Sequence, residues 1–135
     1  LYSQITPRNL VKDLMSSPPI CMEKNKTLER AAEMMTRFGL KAVPVIDDKT
    51  KICVGILEHQ LAEKAVSHGL GHVMVKEFML REFASLPPDA DLFQVVEIIL
   101  GQRQRLVPIV ENEQVIGVIT RTDLINLLVK EPGRI

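Results

Sequence analysis

The feature that most constrains this chain is that one pattern occurs in it twice, over residues 11–66 and 75–128. Val11-Lys12-Asp13-Leu14-Met15 returns as Val75-Lys76-Glu77-Phe78-Met79. Lys41-Ala42-Val43-Pro44-Val45-Ile46 returns as Arg105-Leu106-Val107-Pro108-Ile109-Val110. The offset is 64 residues up to a loop, Asp47 to Thr50 against Glu111 to Asn112, where the second copy is two residues shorter. Beyond the loop it is 62, and Gly55-Ile56-Leu57 aligns with Gly117-Val118-Ile119. A repeat of this size is one supersecondary unit used twice, with each copy expected to bury its apolar face against the other. The copies also control for each other. Where they differ, the shared fold cannot be what requires the residue found in only one.

Each copy reads as strand, helix, strand, strand, helix, an α/β (α+β) pattern of two βαββα repeats. Thr27 is placed to cap a helix whose one face carries Leu28, Ala31, Ala32, Met35 and Phe38 at helical period. Gly39 supplies the left-handed residue that ends it. Copy two repeats this helix from Asp91, with Leu92, Val95, Val96, Ile99 and Leu100 as its apolar side. Two β-branched strands follow in each copy, Ala42 to Ile46 with Ile52 to Leu57, and Leu106 to Val110 with Val115 to Thr120. Pro44 and Pro108 lie inside the first strand of each pair, and a missing N–H there points to sheet edges. Closing helices are expected over Gln60 to His68 and Thr122 to Val129, the latter with Leu124, Leu127 and Leu128 as its apolar face. The division that follows is repeat one at 1–68, a glycine-punctuated connector at 69–74 and repeat two at 75–135. The ends, Leu1 to Asn9 and Glu131 to Ile135, carry little pattern and are expected to pack as arms or to fray.

The bulk numbers narrow the function classes. A chain of 135 residues suits a single compact domain, and 46% hydrophobic with 25% charged residues is ordinary for a globular one. Seventeen basic against seventeen acidic side chains give no bulk attraction for nucleic acid. One Tyr, four Phe and no Trp leave little for a base-stacking platform. Cys21 and Cys53 fall in apolar, strand-like stretches and read as buried small hydrophobes of a reduced, cytoplasmic protein. His68 and His72 in the connector lack nearby ligands at metal-binding spacing. No apolar run reaches the about 18–20 residues of a membrane span, and no signal-peptide pattern opens the chain. It begins at Leu1 and not Met, as a segment of a longer protein would. There is no P-loop, no dinucleotide G-x-G-x-x-G and no supported Ser/His/Asp set, so the chain is expected not to be an enzyme in itself.

The sharpest local signal is Gly117-Val118-Ile119-Thr120-Arg121-Thr122-Asp123, where a strand gives way to the closing helix. A helix N-terminus offers free N–H groups and a positive dipole end, a natural seat for phosphate. Thr120-x-x-Asp123 is also close to a capping box with Asp in place of Glu, and capping alone could account for both residues. The first copy holds Glu58, His59, Gln60 and Leu61 at the same places. Its helix is expected to form with neither the hydroxyl nor the carboxylate, which favours a ligand role in copy two and argues that copy one has lost that chemistry.

These residues, an h-P-h-h strand followed by G-h-h-[ST]-x-x-D in two aligned copies, resemble a tandem pair of CBS domains, also called a Bateman module, over about residues 8–130. The resemblance implies sheets packed about a pseudo-twofold axis, clefts that take adenine nucleotides, and regulation of an attached enzyme, channel or transporter. It implies that Thr120 contacts phosphate and that Asp123 accepts from both ribose hydroxyls, a task that suits an acceptor-only group. The adenine wall maps onto Met79, Phe83, Ala84 and Ser85, with Gln104, Arg105 and Leu106 added from before the paired strands. Arg105 and Arg121 are the candidates to balance phosphate, Arg121 being equally readable as a solvated charge. Thr122 completes the set of ligand-binding candidates.

A narrower likeness lies in Ala62-Glu63-Lys64-Ala65, His68-Gly69-Leu70-Gly71-His72, Val75-Lys76 and Phe78-Met79. This stretch resembles the inter-repeat region of bacterial proteins that join a DHH-type domain, a CBS pair and a poly(A) polymerase/tRNA nucleotidyltransferase domain. The expectation is therefore a regulatory segment that binds AMP, ADP or ATP and no metal. It is further expected to form a homodimer, to contact no membrane, and to meet nucleic acid only through other domains of its parent. A ligand-free module for dimerisation and spacing is the competing reading, supported by the departures in copy one. Direct RNA contact is disfavoured by neutral charge and few aromatics.

Overall fold

The structure, a computed structural model, describes residues 10–129, and the calls on the two termini lie outside the described residues. In chain order the elements are α1 (Val11–Leu14), β1 (Met22–Glu23), α2 (Leu28–Phe38), β2 (Ala42–Ile46), β3 (Cys53–Glu58) and α3 (His59–Ser67). A single 3₁₀ turn follows at Val75–Glu77, then α4 (Leu92–Val96), which continues as a π-helical turn over Glu97–Gly101. The chain closes with β4 (Leu106–Glu111), β5 (Gln114–Thr120) and α5 (Arg121–Val129). The mixed α/β class read from the sequence is the class observed. No helix among the described residues is long and apolar enough to cross a membrane.

The expected single compact domain resolves into two compact units, and their boundaries do not follow the repeat. One unit is continuous, Ile20–Phe83. The other is split, joining the stretch that ends at Pro19 to the stretch that begins at Ala84. Each unit therefore takes the opening segment of the opposite copy. The core of the 20–83 unit gathers Leu28, Ala31, Met35, Val43, Val45, Leu57 and Ala62 with Val75 and Met79 of the second copy. The core of the split unit gathers Leu92, Val95, Ile99, Val107, Ile109, Ile119 and Leu124 with Val11 of the first.

Pairing shows the same exchange. In the 20–83 unit the sheet order is β1-β2-β3, with β1 parallel and β3 antiparallel to β2. Leu80 of copy two then pairs with Ile56 on the outer side of β3, by N–H to O distances of 3.0 and 2.7 Å. In the split unit β4 and β5 are antiparallel, Leu86 pairs in parallel with Ile109 of β4, and Ser16 of copy one pairs with Val118 of β5. The contact that allows this is a methionine over a glycine. A Cβ on Gly55 would stand 2.7 Å from Met79 Sδ and 2.9 Å from the Leu80 carbonyl oxygen. A Cβ on Gly117 would collide with the Met15 side chain in the same way.

Local chemistry sets the element ends. The Thr27 side chain accepts the Arg30 N–H, and Gly39 closes α2 at φ +66°. Asp91 and Gln94 form a reciprocal capping box at α4. The connector carbonyls of Gly71 and Val73 take up the N–H groups of Glu29 and Leu28, so the linker seals the start of α2.

Three sequence expectations fail here for physical reasons. Phe38 is exposed, because as the last residue of α2 it has turned off the buried face. Leu100 is exposed while Ile99 is buried, as Thr36 is exposed and Met35 buried at the aligned places of the regular helix α2, so this position lies off the inward face in both copies. Pro44 is not on an edge strand, since β2 is the middle strand of three. Its missing N–H is tolerated because β1 is only two residues long and begins opposite Val45.

Two expectations follow from the exchange. Gly55→Ala should destabilise the chain by about 1–3 kcal/mol through overpacking, measured by urea denaturation. In a Met79→Ala background the same change should cost clearly less, though not nothing because the Leu80 carbonyl remains, with a coupling of about 0.5–3 kcal/mol. Strict additivity would contradict the contact. A fragment of residues 20–83 should melt cooperatively while one of residues 1–70, which lacks Val75, Met79 and Leu80, should not. Indistinguishable melts would show that the borrowed segment contributes little.

Candidate functional site

β5 delivers Thr120 to the start of α5, opposite Leu106 at the start of β4. The Thr120 N–H donates to Asp123 Oδ2 at 2.9 Å, and the Asp123 N–H donates to Thr120 Oγ1 at 3.1 Å. This is the reciprocal box that the spacing allowed. It leaves specific valences over. The Thr120 oxygen is used as an acceptor, so its proton is available to donate. Asp123 uses one carboxylate oxygen, and an ionised carboxylate has about four lone-pair sites. Capping and ligand binding are thus compatible, and the box fixes the rotamers of both groups. Both residues are half-buried. The Asp123 side chain also reaches a cleft of about 230 Å³ whose other walls are Leu14, Leu92, Ile119, Leu124, Asn126 and Leu127. No other expected site residue lines that cleft.

Copy one bears out the comparison drawn from the sequence. α3 forms with Glu58 at the N-cap position and no side-chain cap from it. Leu61, where Asp123 stands in copy two, is half-buried. The helix does not need the box, so Thr120 and Asp123 are free to be selected for something else.

Gln104 behaves differently from a ligand contact. Its Oε1 accepts the Ala84 N–H at 2.9 Å, and its Nε2 donates to the carbonyls of Ala84 and Leu106, both at 2.8 Å. The reason lies in Pro108. Leu86 bonds Pro108 O and Val110 N as a parallel partner of β4. Continuing that ladder would require an N–H from Pro108 to the Ala84 carbonyl, and proline has none. The Gln104 carboxamide supplies the donor instead. Its hydrogen-bonding groups and the backbone groups of Ala84 are therefore engaged with each other. The first copy has Leu40 and Ile20 at these places, so this splice belongs to copy two alone.

The backbone also brings the two candidate phosphate-binding arginines together. The Arg121 N–H donates to the Arg105 carbonyl at 2.9 Å, and both residues are exposed. The equivalent bond in copy one joins His59 to Lys41, also at 2.9 Å. Ala84, Gln104, Arg105, Leu106, Thr120, Arg121 and Asp123 thus form one connected group at the end of the β4–β5 hairpin. Ser85 and Thr122 are exposed beside it. Met79 and Phe83 belong to the 20–83 unit, where Met79 is buried against Gly55. Beside β5 the split unit instead has Met15, Ser16 and Ser17 of the first copy, with Ser17 Oγ donating to the Ile116 carbonyl at 2.9 Å. Sequence reasoning missed these residues. The signal was present, because Met15 aligns with Met79 and Gly117 with Gly55.

Other candidates for chemistry are quiet. Burial pushes the Cys21 and Cys53 thiols up to about 11, which suppresses the thiolate and its reactivity. Both cysteines are free. No group of three or more His, Cys, Asp or Glu among the described residues could hold a metal.

Comparison with known proteins places this geometry. The family model described as "CBS domain" matches residues 11–60 and 75–130. The A-adding tRNA nucleotidyltransferase of Geobacter sulfurreducens is 40% identical over 124 residues, which are 92% of this chain and 14% of that protein. The A-adding tRNA nucleotidyltransferase of Aquifex aeolicus is 33% identical over 115 residues, 85% of this chain and again 14% of the relative. The chain thus corresponds to a small part of these larger proteins. Among solved structures, a CBS domain pair in complex with 5′-methylthioadenosine and S-adenosyl-L-methionine superposes with TM-score 0.81 at 26% identity, covering 94% of this chain and 98% of that one. The acetoin utilization protein AcuB from Vibrio cholerae shares the fold, with TM-score 0.80 at 22% identity over 92% of this chain and 93% of its own. With the match running through both copies of its repeat, the chain belongs to the CBS domain family, as a tandem pair.

Proposed function

We propose that this chain is the regulatory, adenine-nucleotide-binding segment of a cytoplasmic protein of the tRNA nucleotidyltransferase/poly(A) polymerase family. The observation that carries the reading is the Thr120–Asp123 box, which holds a hydroxyl donor and a carboxylate acceptor in fixed orientation with valences to spare. Support also comes from the two A-adding relatives and from the CBS pair solved with adenosine compounds. In this reading Asp123 takes the ribose hydroxyls. Thr120 and the α5 N–H groups meet phosphate, and Arg105 and Arg121 balance its charge. The ligand is AMP, ADP or ATP, bound once per chain, because Glu58 and Leu61 offer neither interaction in copy one. Any catalysis and any contact with RNA belong to other domains of the parent. The chain acts as a homodimer.

A ligand-free dimerisation and spacing module is the second reading. The observation favouring it is the Gln104–Ala84 pairing, which occupies backbone groups that a purine would otherwise use.

A thermal-shift series with AMP, ADP, ATP and S-adenosylmethionine separates the two. A ligand at about 100 times its dissociation constant should add about 2.7 kcal/mol of stability. No shift with any of them would favour the second reading. Asp123→Ala should remove a charge-assisted bond of about 1.5–3 kcal/mol and weaken binding by roughly ten- to a hundredfold, read by calorimetry on protein shown to be folded. Equal affinity for wild type and variant, or two equivalent sites per chain, would overturn the assignment.

A further inference from the structure

The turn between the π-helical end of α4 and the start of β4 holds an arginine in a conformation that arginine does not favour. Arg103 has φ +59°. The aligned residue of the first copy is Gly39, at nearly the same φ of +66°. This left-handed region is open to glycine and costs free energy for a residue with a Cβ. The backbone therefore asks for glycine, and the first copy supplies it. A Cβ on Gly39 would meet nothing within 4 Å, so packing does not call for a side chain there either. Arg103 is itself exposed. An arginine held in left-handed backbone with nothing to pack against points to a use outside the fold.

Its neighbours say what the use is. Arg105 lies two residues on, and the Arg121 N–H bonds the Arg105 carbonyl. All three arginines are exposed, at the end of the hairpin where β4 begins and β5 stops. Gln104, between the first two, is tied by its side chain to Ala84 and Leu106, which fixes the backbone that carries both. The hairpin's own acidic residues, Glu111 and Glu113, stand at the opposite end. Among the described residues neither Arg103 nor Arg121 takes part in a salt bridge. The first copy has Gly39, Lys41 and His59 at the three places, so the triple belongs to copy two. A nucleoside monophosphate brings one phosphoryl group to Thr120, and Arg105 and Arg121 suffice to balance it. A third guanidinium is one more than that ligand needs. We propose that the ligand is a nucleoside polyphosphate and that Arg103 is the residue that selects it over the monophosphate. Its planar donors meet the phosphates beyond the first. This inference rests on the adenine-nucleotide reading above and narrows its ligand to ADP or ATP.

Calorimetry with AMP, ADP, ATP and inorganic tripolyphosphate, at one ionic strength and without divalent metal, tests it. The wild-type chain should bind ADP and ATP about three- to tenfold more tightly than AMP. Arg103→Gly installs the residue that the first copy already carries in this conformation, so the backbone is kept. It should bring ADP and ATP down to the affinity of AMP and leave AMP unchanged. Arg103→Lys should retain part of the preference, since the charge stays and the planar fork is lost. Lys64→Ala, which removes a positive charge from the 20–83 unit, should leave the preference intact. Equal affinity for AMP and ATP in the wild type, or a preference that survives Arg103→Gly, would overturn the proposal while sparing the nucleotide site. Tripolyphosphate bound as tightly as ATP would also overturn it, because attraction of any polyanion would then account for the effect. A chain that binds none of the three nucleotides would remove the nucleotide reading itself, and this proposal with it.

Discussion

Each unit of this protein depends on a short segment borrowed from the other copy of the repeat, and that segment can lie where it does only because a glycine faces a methionine. Met79 over Gly55 and Met15 over Gly117 are the same contact made twice. A side chain at either glycine would displace the methionine, and at Gly55 it would also press on a backbone carbonyl. With the contact in place, Leu80 and Ser16 complete the ladders on the outer sides of β3 and β5. Val75 and Val11 then enter the two cores. The sequence repeat and the compact unit are consequently different objects. Selection on one copy's opening segment acts on the packing of the other copy's sheet.

The hairpin end of the split unit shows how one set of residues serves structure and chemistry together. Pro108 removes a ladder donor, Gln104 replaces it, and the chain from Ala84 to Leu86 is thereby held against β4. A few residues on, Thr120 and Asp123 cap α5 while keeping a hydroxyl proton and a carboxylate oxygen for other use. Neither device has a counterpart in the first copy, where Leu40, Glu58 and Leu61 stand instead.

What could be read from the chain followed the range of the interactions involved. Caps and strand pairs are local, so Thr27, Gly39, Asp91 and the two hairpins were legible from spacing and residue type. Thr120 and Asp123 were legible as a pair because the box spans three residues, and the family model matches residues 11–60 and 75–130. The exchange was not legible, because no period in the sequence reports which sheet a distant strand joins, and so Met15, Ser16 and Ser17 were overlooked beside β5. Leu100 is apolar yet exposed because its place lies off the inward face, as the exposed Thr36 shows at the aligned position of α2. Pro44 was misplaced because the length of the neighbouring strand, and not the proline, decides whether an N–H is missed. The structural task of Gln104 was not legible because the need for it arises from Pro108 across the ladder.

The central claim is that copy two alone carries the nucleotide-binding chemistry. A titration of the ¹⁵N-labelled chain with AMP, followed by amide chemical shifts, tests it most directly, since both copies are read in one sample. The account predicts saturable shifts at Thr120 to Leu124, with Arg105 and Ala84 following on the same isotherm, and little change at Glu58 to Leu61. Shifts of equal size and affinity at Glu58 to Leu61, or movement there with Thr120 to Asp123 silent, would contradict it.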